Sequence, residues 1–344
     1  MKIVHDFFSQ YGGGENLVTS ISEMLKAEII TAFNSKKKLK YIKQSIFRSI
    51  LKQNTFFVFI YFFFIFKVTT KESILFSGNH CCYSIKRCRA RNKFLYAHSL
   101  PKSLFSNLYL DHNSNYLLKF FYSFLKNIYM NNLHSLDKII FNSKKTKQKF
   151  LHIFPDLEKR VTLDVLYPFS NMPLINRDLN RPKISKYFVI NSRHQASKNI
   201  EHIFILISDF LKSNKDIKIY LTHGGELSEN LKTKNTIENI IFTGYLDTSK
   251  YMELLSNSIG VIFPSRDEDF GISALDAYNL NIPIIVQRNC GFAEILPENY
   301  NFFYNDTNLI TILEDISKNN QNDIYFNKVD YKKLFSDYLN SKLI

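Results

Sequence analysis

Residues 263–294 read FPSRDEDFGISALDAYNLNIPIIVQRNCGFAE, an order of residues that few folds accommodate. The apolar run over residues 259–263 predicts a buried strand of a parallel sheet. Pro264 and Ser265 end it, and a polar loop over residues 266–269 follows. Gly271 opens a predicted helix over residues 272–278, and a second buried strand is predicted over residues 282–286. In a strand–loop–helix–strand unit the loop lies at the carboxyl end of a strand, where open α/β sheets bind ligands. Glu268 is in that loop, and Asp276 is on the helix eight residues later. That spacing is a little over two helical turns, so the two carboxylates can reach different parts of one ligand. Backbone N–H groups near Gly271, Ile272 and Ser273 suit an anionic group such as a diphosphate.

The segment resembles the C-terminal signature of the family 4 retaining glycosyltransferases of GT-B fold, the glycosyl transferases group 1. That signature is a Glu, Gly-Phe-Gly, a second Glu eight residues after the first, an Ala, and later Gly-x-Pro-Val-Ile. The chain offers Glu268, then Asp269, Phe270 and Gly271, then Asp276 and Ala277, then Asn281 before Ile282, Pro283, Ile284 and Ile285. Asp269 and Asn281 stand where the pattern has glycine. Asp276 replaces the second Glu and shortens that arm by one methylene.

The resemblance extends along the chain. An apolar start at residues 1–4 leads into Tyr11, Gly12, Gly13, Gly14 and Glu15, then a helical pattern of Leu17, Val18, Ile21, Met24 and Leu25. Glycines here let the backbone approach a diphosphate, and a helix N-terminus favours its charge. The spacing does not fit a dinucleotide fingerprint, because Leu17 occupies the third glycine position after Gly12 and Gly14; this argues against a nicotinamide enzyme. Residues 94–101 resemble the strand and loop that carry a His in the family, here His98. Residues 136–146 resemble its Asn-Ser segment before a helix, and residues 165–168 its link into the second domain. Residues 188–198 resemble a strand followed by Gly-Arg and a Lys five residues on; Ser192 replaces the Gly, while Arg193 and Lys198 are present.

A chain of 344 residues is long enough for two domains. Strands alternating with helical patterns in both halves predict parallel sheets. Pro168, Pro173 and Pro182 mark a linker near residues 167–181. The resemblance therefore implies an α/β chain of GT-B fold, two Rossmann-like domains facing a central donor cleft. Residues 1–170 would be the acceptor domain, residues 171–330 the nucleotide-sugar domain, and residues 331–344 a helix returning to the first domain.

The net charge of +14 suggests an anionic partner. No compact nucleic-acid motif occurs, so an anionic membrane surface is the better candidate. Lys36, Lys37, Lys38, Lys40, Lys43 and Arg48 precede FFVFIYFFFIF at residues 56–66. Those eleven residues are too few to span a bilayer, which takes about 20. They are either a core element of the first domain or a membrane-docking segment. No secretory signal is read in residues 1–10. Cys81, Cys82, Cys88 and Cys290 lack zinc spacing, and buried reduced thiols of a cytoplasmic protein are expected. A metal site drawing on His80 and His112 is the weaker alternative. Asp267, Glu268 and Asp269 are acidic, but the resemblance assigns this loop to sugar contact, so no metal and no separate cofactor is expected.

The resemblance implies a cytoplasmic transferase, peripheral on the inner membrane face. It would move a hexose-type sugar from a nucleotide-diphosphate donor to a glycan or lipid-linked glycan, as in polysaccharide or lipopolysaccharide synthesis. Arg193 and Lys198 would stabilise the leaving diphosphate, Glu268 would bind sugar hydroxyls, and His98 would lie near the sugar or diphosphate. Gly13, Gly14, Phe270, Gly271, Ile272 and Asp276 would bind the donor, Asp276 through ribose. The alternatives are a nucleotide-sugar 2-epimerase on the same fold and a non-catalytic sugar-nucleotide-binding subunit.

Overall fold

The computed structural model describes residues 1–8, 12–34, 41–45, 50, 54–101, 116–174, 186–318 and 329–343. Its internal contacts divide the chain into two units. One is Met1–Pro168 with Lys332–Ile344, and the other is Phe169–Tyr331.

The first unit is built on seven strands: β1 (Lys2–His5), β2 (Glu28–Thr31), β3 (Ile42–Gln44), β4 (Ile74–Ser77), β5 (Lys93–Ala97), β6 (Lys138–Phe141) and β7 (Thr162–Val165). They pair in the order β3-β2-β1-β4-β5-β6-β7, every pair parallel. The inner strands of such a sheet are covered on both faces and read as apolar runs, whereas the edge strands β3 and β7 carry polar residues. All four residues of β4 are buried. The strand order reverses between β1 and β4, the switch point at which open α/β sheets leave a crevice.

Helix α1 (Gly13–Leu25) follows β1 and buries Leu17, Val18 and Ile21. Its first turn is closed by Glu15, whose carboxylate accepts the Gly12 N–H at 3.1 Å. Helix α2 (Thr55–Ile60) begins at Asn54, whose side chain accepts the Phe56 N–H at 2.8 Å. It runs into a π-helical turn, Tyr61–Ile65. At the end of that turn the Arg87 guanidinium donates to the carbonyls of Phe62, Phe63 and Phe66, satisfying acceptors that a helix end leaves free. The long apolar run is thus split by side. Val58, Phe62 and Phe66 are core, whereas Phe56, Phe57, Phe64 and Ile65 are exposed. Of the basic run before it, Lys36, Lys37, Lys38, Lys40 and Arg48 lie outside the described residues.

Helix α3 (Tyr116–Leu133) packs beside the 3-10 turn Cys81–Arg87. Tyr83 of that turn lies against Phe59, Phe63 and Tyr129. Helix α4 (Lys144–Ile153) starts at Ser143, which accepts the Thr146 N–H at 2.9 Å. The four cysteines are buried and reduced. The thiols of Cys81 and Cys82 donate to the Gly78 carbonyl. Among the described residues no group of three or more His, Cys, Asp or Glu side chains is arranged to hold a metal ion; His112 lies outside them.

The second unit has five strands: β8 (Tyr187–Asn191), β9 (Lys218–Thr222), β10 (Ile240–Gly244), β11 (Gly260–Ile262) and β12 (Ile284–Ile285). Their order is β10-β9-β8-β11-β12, again all parallel. The switch point lies between β8 and β11. Helices α5 (Ile200–Ser213), α6 (Ser228–Lys234), α7 (Thr248–Asn257), α8 (Ile272–Asn279) and α9 (Leu309–Lys318) connect and flank them. Strands β11 and β12 are shorter than their apolar runs, because Ile259, Phe263, Ile282 and Val286 are buried beyond the paired residues. Helix α10 (Tyr331–Lys342) ends the described chain, and from Lys332 it belongs to the first unit. There Phe335 meets the Tyr96 ring at 5.5 Å, and the Tyr338 hydroxyl donates to Asp164 at 2.5 Å.

Candidate active site

In the second unit the carboxyl ends of β8 and β11 supply the loops that carry most of the candidate residues. Lys198 and Glu268, seventy positions apart, meet in an ion pair of 2.5 Å with side chains largely withdrawn from water. Arg193 is half-buried, and among the described residues no carboxylate lies within ion-pair distance of it. Its loop is held from below by His194. The imidazole hydrogen-bonds the Ser228 hydroxyl at 2.8 Å and the Thr222 carbonyl at 3.1 Å. Gly225 lies so close that a Cβ there would sit 2.5 Å from the His194 carbonyl oxygen.

The Glu268 loop is fixed at both ends. Arg266 pairs with Asp306 at 2.7 Å. The Gly291 N–H donates to the Glu268 carbonyl at 3.1 Å, and a Cβ at Gly291 would lie 2.0 Å from the Asp269 carbonyl oxygen. Gly271 then enters α8 with φ +100°, and a Cβ on it would strike the Phe263 ring at 2.6 Å. Only glycine meets both demands. The amides of Ile272 and Ser273, the first of the helix, have no acceptor among the described residues. Phe270 is buried with its ring against Phe292, so its side chain packs this turn and only its main chain borders the loop.

Asp276, on α8, is already engaged. Its Oδ1 accepts the Ser170 hydroxyl, and its Oδ2 accepts the Tyr251 hydroxyl at 2.9 Å. The Tyr251 oxygen in turn accepts from the Asn191 amide, and the Asn191 carbonyl accepts from Thr222 at 3.1 Å. Burial pushes the Asp276 carboxyl up to about 6, against the pull of the two hydroxyls.

His98, Gly13 and Gly14 belong to the first unit and form a separate group around its own switch point. His98 Nε2 bonds the buried Ser77 hydroxyl at 2.8 Å. That hydroxyl has no other acceptor among the described residues, so it donates, and the imidazole proton belongs on Nδ1. The Nδ1 edge faces Gly14, where a Cβ would lie 3.9 Å away. Burial, with His5 nearby, pushes His98 down to about 3, so the ring stays neutral. The amides of Gly13 and Gly14 have no acceptor among the described residues. Asp6 accepts the N–H groups of Asn79, His80 and Cys81 at 2.7–2.9 Å and so fixes the loop after β4.

A protein-family model, "Glycosyl transferases group 1", matches residues 171–329. The match coincides with the second unit and contains Arg193, Lys198, Glu268 and Asp276. Mouse "Alpha-1,3/1,6-mannosyltransferase ALG2" is 23% identical over 236 residues, 61% of this chain and 55% of that protein. The chain thus spans about half the length of this curated relative. Among solved structures, Anabaena Alr3699/HepE in complex with UDP and glucose aligns with a TM-score of 0.63 at 16% identity, covering 99% of this chain and 100% of that one. WaaG, a glycosyltransferase involved in lipopolysaccharide biosynthesis, aligns with a TM-score of 0.59 at 10% identity, covering 99% and 95%. These likenesses establish the GT-B fold, and the residues that match the group 1 model form its second α/β unit.

Sequence reading did not single out Ser170, Asn191, Tyr251 or Gly291 around the group 1 site, nor Ser77 in the first unit. Only the positions of Ser77 and Asn191 at strand ends carried any signal. Tyr251 lies within an ordinary amphipathic helix, and nothing in its neighbours marks it.

Proposed function

We propose that the chain is a hexosyltransferase. It takes a hexose-type sugar from a nucleotide-diphosphate donor and passes it to a glycan or lipid-linked glycan, with retention at the anomeric carbon and without a metal ion. The observation that carries this reading is the Lys198–Glu268 pair, which joins the loops after β8 and β11 at the switch point of the second unit, with Arg193, which has no carboxylate within ion-pair distance among the described residues, on the loop of Lys198. A nucleotide sugar would divide that pair by chemistry, its diphosphate taking Lys198 and its sugar hydroxyls taking Glu268. As the glycosidic bond breaks, negative charge grows on the diphosphate, where Arg193, Lys198 and the amides of Ile272 and Ser273 would stabilise it. The acceptor hydroxyl would pass its proton to the departing phosphate oxygen. Within the first unit, neutral His98 would present an Nδ1–H donor to a sugar or diphosphate oxygen, and the Gly13 and Gly14 amides would suit an anion.

Nucleotide-sugar chemistry is supported by the UDP and glucose held by the Anabaena neighbour, and a glycan acceptor by the lipopolysaccharide role in the name of WaaG. The protein would work at the inner face of a membrane; among the described residues no helix is long and apolar enough to cross one.

Transfer from UDP- and GDP-hexoses to extracted lipid-linked glycans tests the reading. Arg193→Ala and Lys198→Ala should each lose roughly 2–4 kcal/mol of transition-state stabilisation, about 30- to 1,000-fold in kcat/KM. If both variants stay within a few-fold of the parent, these cations do not serve the leaving group.

A further inference from the structure

Asp276 has a shorter arm than the Glu of the family pattern, yet three neighbouring elements are organised around it. Ser170 lies at the start of the second unit, Tyr251 on α7 and Asn191 at the end of β8. Every hydrogen of this chain points one way, from Thr222 to Asn191, from Asn191 to Tyr251, and from Tyr251 to Asp276. The arrangement leaves one lone pair on the Tyr251 oxygen and one further acceptor position on each Asp276 oxygen. All of them remain acceptors, and none is a donor. Such a set suits a ligand group that supplies two adjacent hydroxyl hydrogens.

We propose that Tyr251 is a positioning residue, held by Asn191, that fixes Asp276 and presents it with the phenol oxygen as a joint acceptor for the 2′,3′-diol of a ribonucleoside diphosphate. The inference rests on the donor-site reading given above. A phenol locked on its far side by Asn191 supplies rigidity that a lone Asp side chain lacks, and its oxygen widens the acceptor surface that the missing methylene narrows. Ser170 holds the other carboxylate oxygen, so the plane of the carboxylate is set from both ends.

Calorimetry on the whole protein with UDP, GDP and their 2′,3′-dideoxy counterparts tests this. The parent should bind one ribonucleotide at least tenfold more tightly than its dideoxy form. Tyr251→Phe should weaken ribonucleotide binding about tenfold, leave dideoxy binding nearly unchanged, and collapse the preference to about twofold. Lengthening the arm in that background, Tyr251→Phe with Asp276→Glu, should restore most of the preference. A merely structural Tyr251 would weaken both nucleotide forms equally as the thermal midpoint falls. That result, or a Tyr251→Phe protein with the parent's full preference, overturns the proposal. If the folded parent binds neither ribonucleotide, the donor-site reading fails and the proposal falls with it. Binding without preference for the diol leaves the donor site standing and removes only the role of Tyr251.

Discussion

Two hydroxyls already donate to Asp276, and its carboxyl nonetheless sits at about 6, because withdrawal from water outweighs them. The titratable side chain in contact with it is Tyr251. Burial and the Asp276 charge push that phenol far above its ordinary value, so it stays protonated. Extra hydroxyl donors favour the charged carboxylate, and binding of a ribose diol should therefore release a proton from Asp276. The sign follows from linkage: affinity for the nucleotide rises as pH climbs through about 6. Measured as the difference between the parent and Asp276→Asn, the titration of the diphosphate itself cancels. A difference that stays flat from pH 5 to 7.5 would place the diol elsewhere. For stability the sign is opposite. A carboxyl raised from 3.8 to about 6 contributes stability at low pH that is lost as pH rises through that window.

At the scale of elements, the junctions decide most. Gly271 starts α8 in a left-handed conformation against the Phe263 ring. Gly271→Ala should destabilise the protein by about 1–3 kcal/mol, through backbone strain and the clash together. Asn281 ends the turn before β12 at φ +56°, with a buried side-chain oxygen that has no hydrogen-bond partner among the described residues. Glycine enters this region freely, so Asn281→Gly should hold or raise stability, by up to about 1 kcal/mol, once the added freedom of the unfolded chain is set against it. Thermal or urea unfolding checks both, and an Asn281→Gly protein less stable by more than that would show that the amide has a role.

The same junctions explain what was legible. The α/β alternation and the loop of Glu268 and Gly271 follow from short-range patterns, whereas the meeting of Lys198 with Glu268 across seventy positions does not. Asn281 is readable as a glycine substitute, because asparagine tolerates left-handed backbone better than other side chains. The Tyr251–Asp276 contact is not readable. It joins two helices whose registers are set by packing, and a tyrosine at that position satisfies the amphipathic pattern without revealing what its hydroxyl meets. The run at residues 56–66 was ambiguous for the same reason. All eleven side chains are apolar or aromatic, so composition gave no sign of which would face out, and the π-helical turn rotated Phe64 and Ile65 to the surface.

On the scale of the whole molecule, those exposed rings and the excess of positive charge give the membrane reading its test. Phe56, Phe57, Phe64 and Ile65 lie on a unit whose sequence also carries Lys36, Lys37 and Lys38. Basic residues near an anionic surface contribute about 1 kcal/mol each, with strong salt dependence. The protein should sediment with anionic vesicles at low salt. Phe64→Ser and the triple exchange of Lys36, Lys37 and Lys38 to Gln should each reduce the bound fraction several-fold. Absence of sedimentation by the folded protein at low salt would leave the rings as ordinary exposed surface.

The division of the chain also bears on how it is made. The first unit is discontinuous, whereas the second runs unbroken from Phe169 to Tyr331. Phe335 and Leu339, buried on the first unit's helix, and Leu343, buried just after it, are translated after everything in the second. On the ribosome, then, the second unit can close on itself while the first unit, begun earlier, still lacks helix α10. Strand β1, made before the second unit, belongs to a unit completed only after it, and in the interval the surface awaiting Phe335 is bare to whatever chaperone attends the nascent chain.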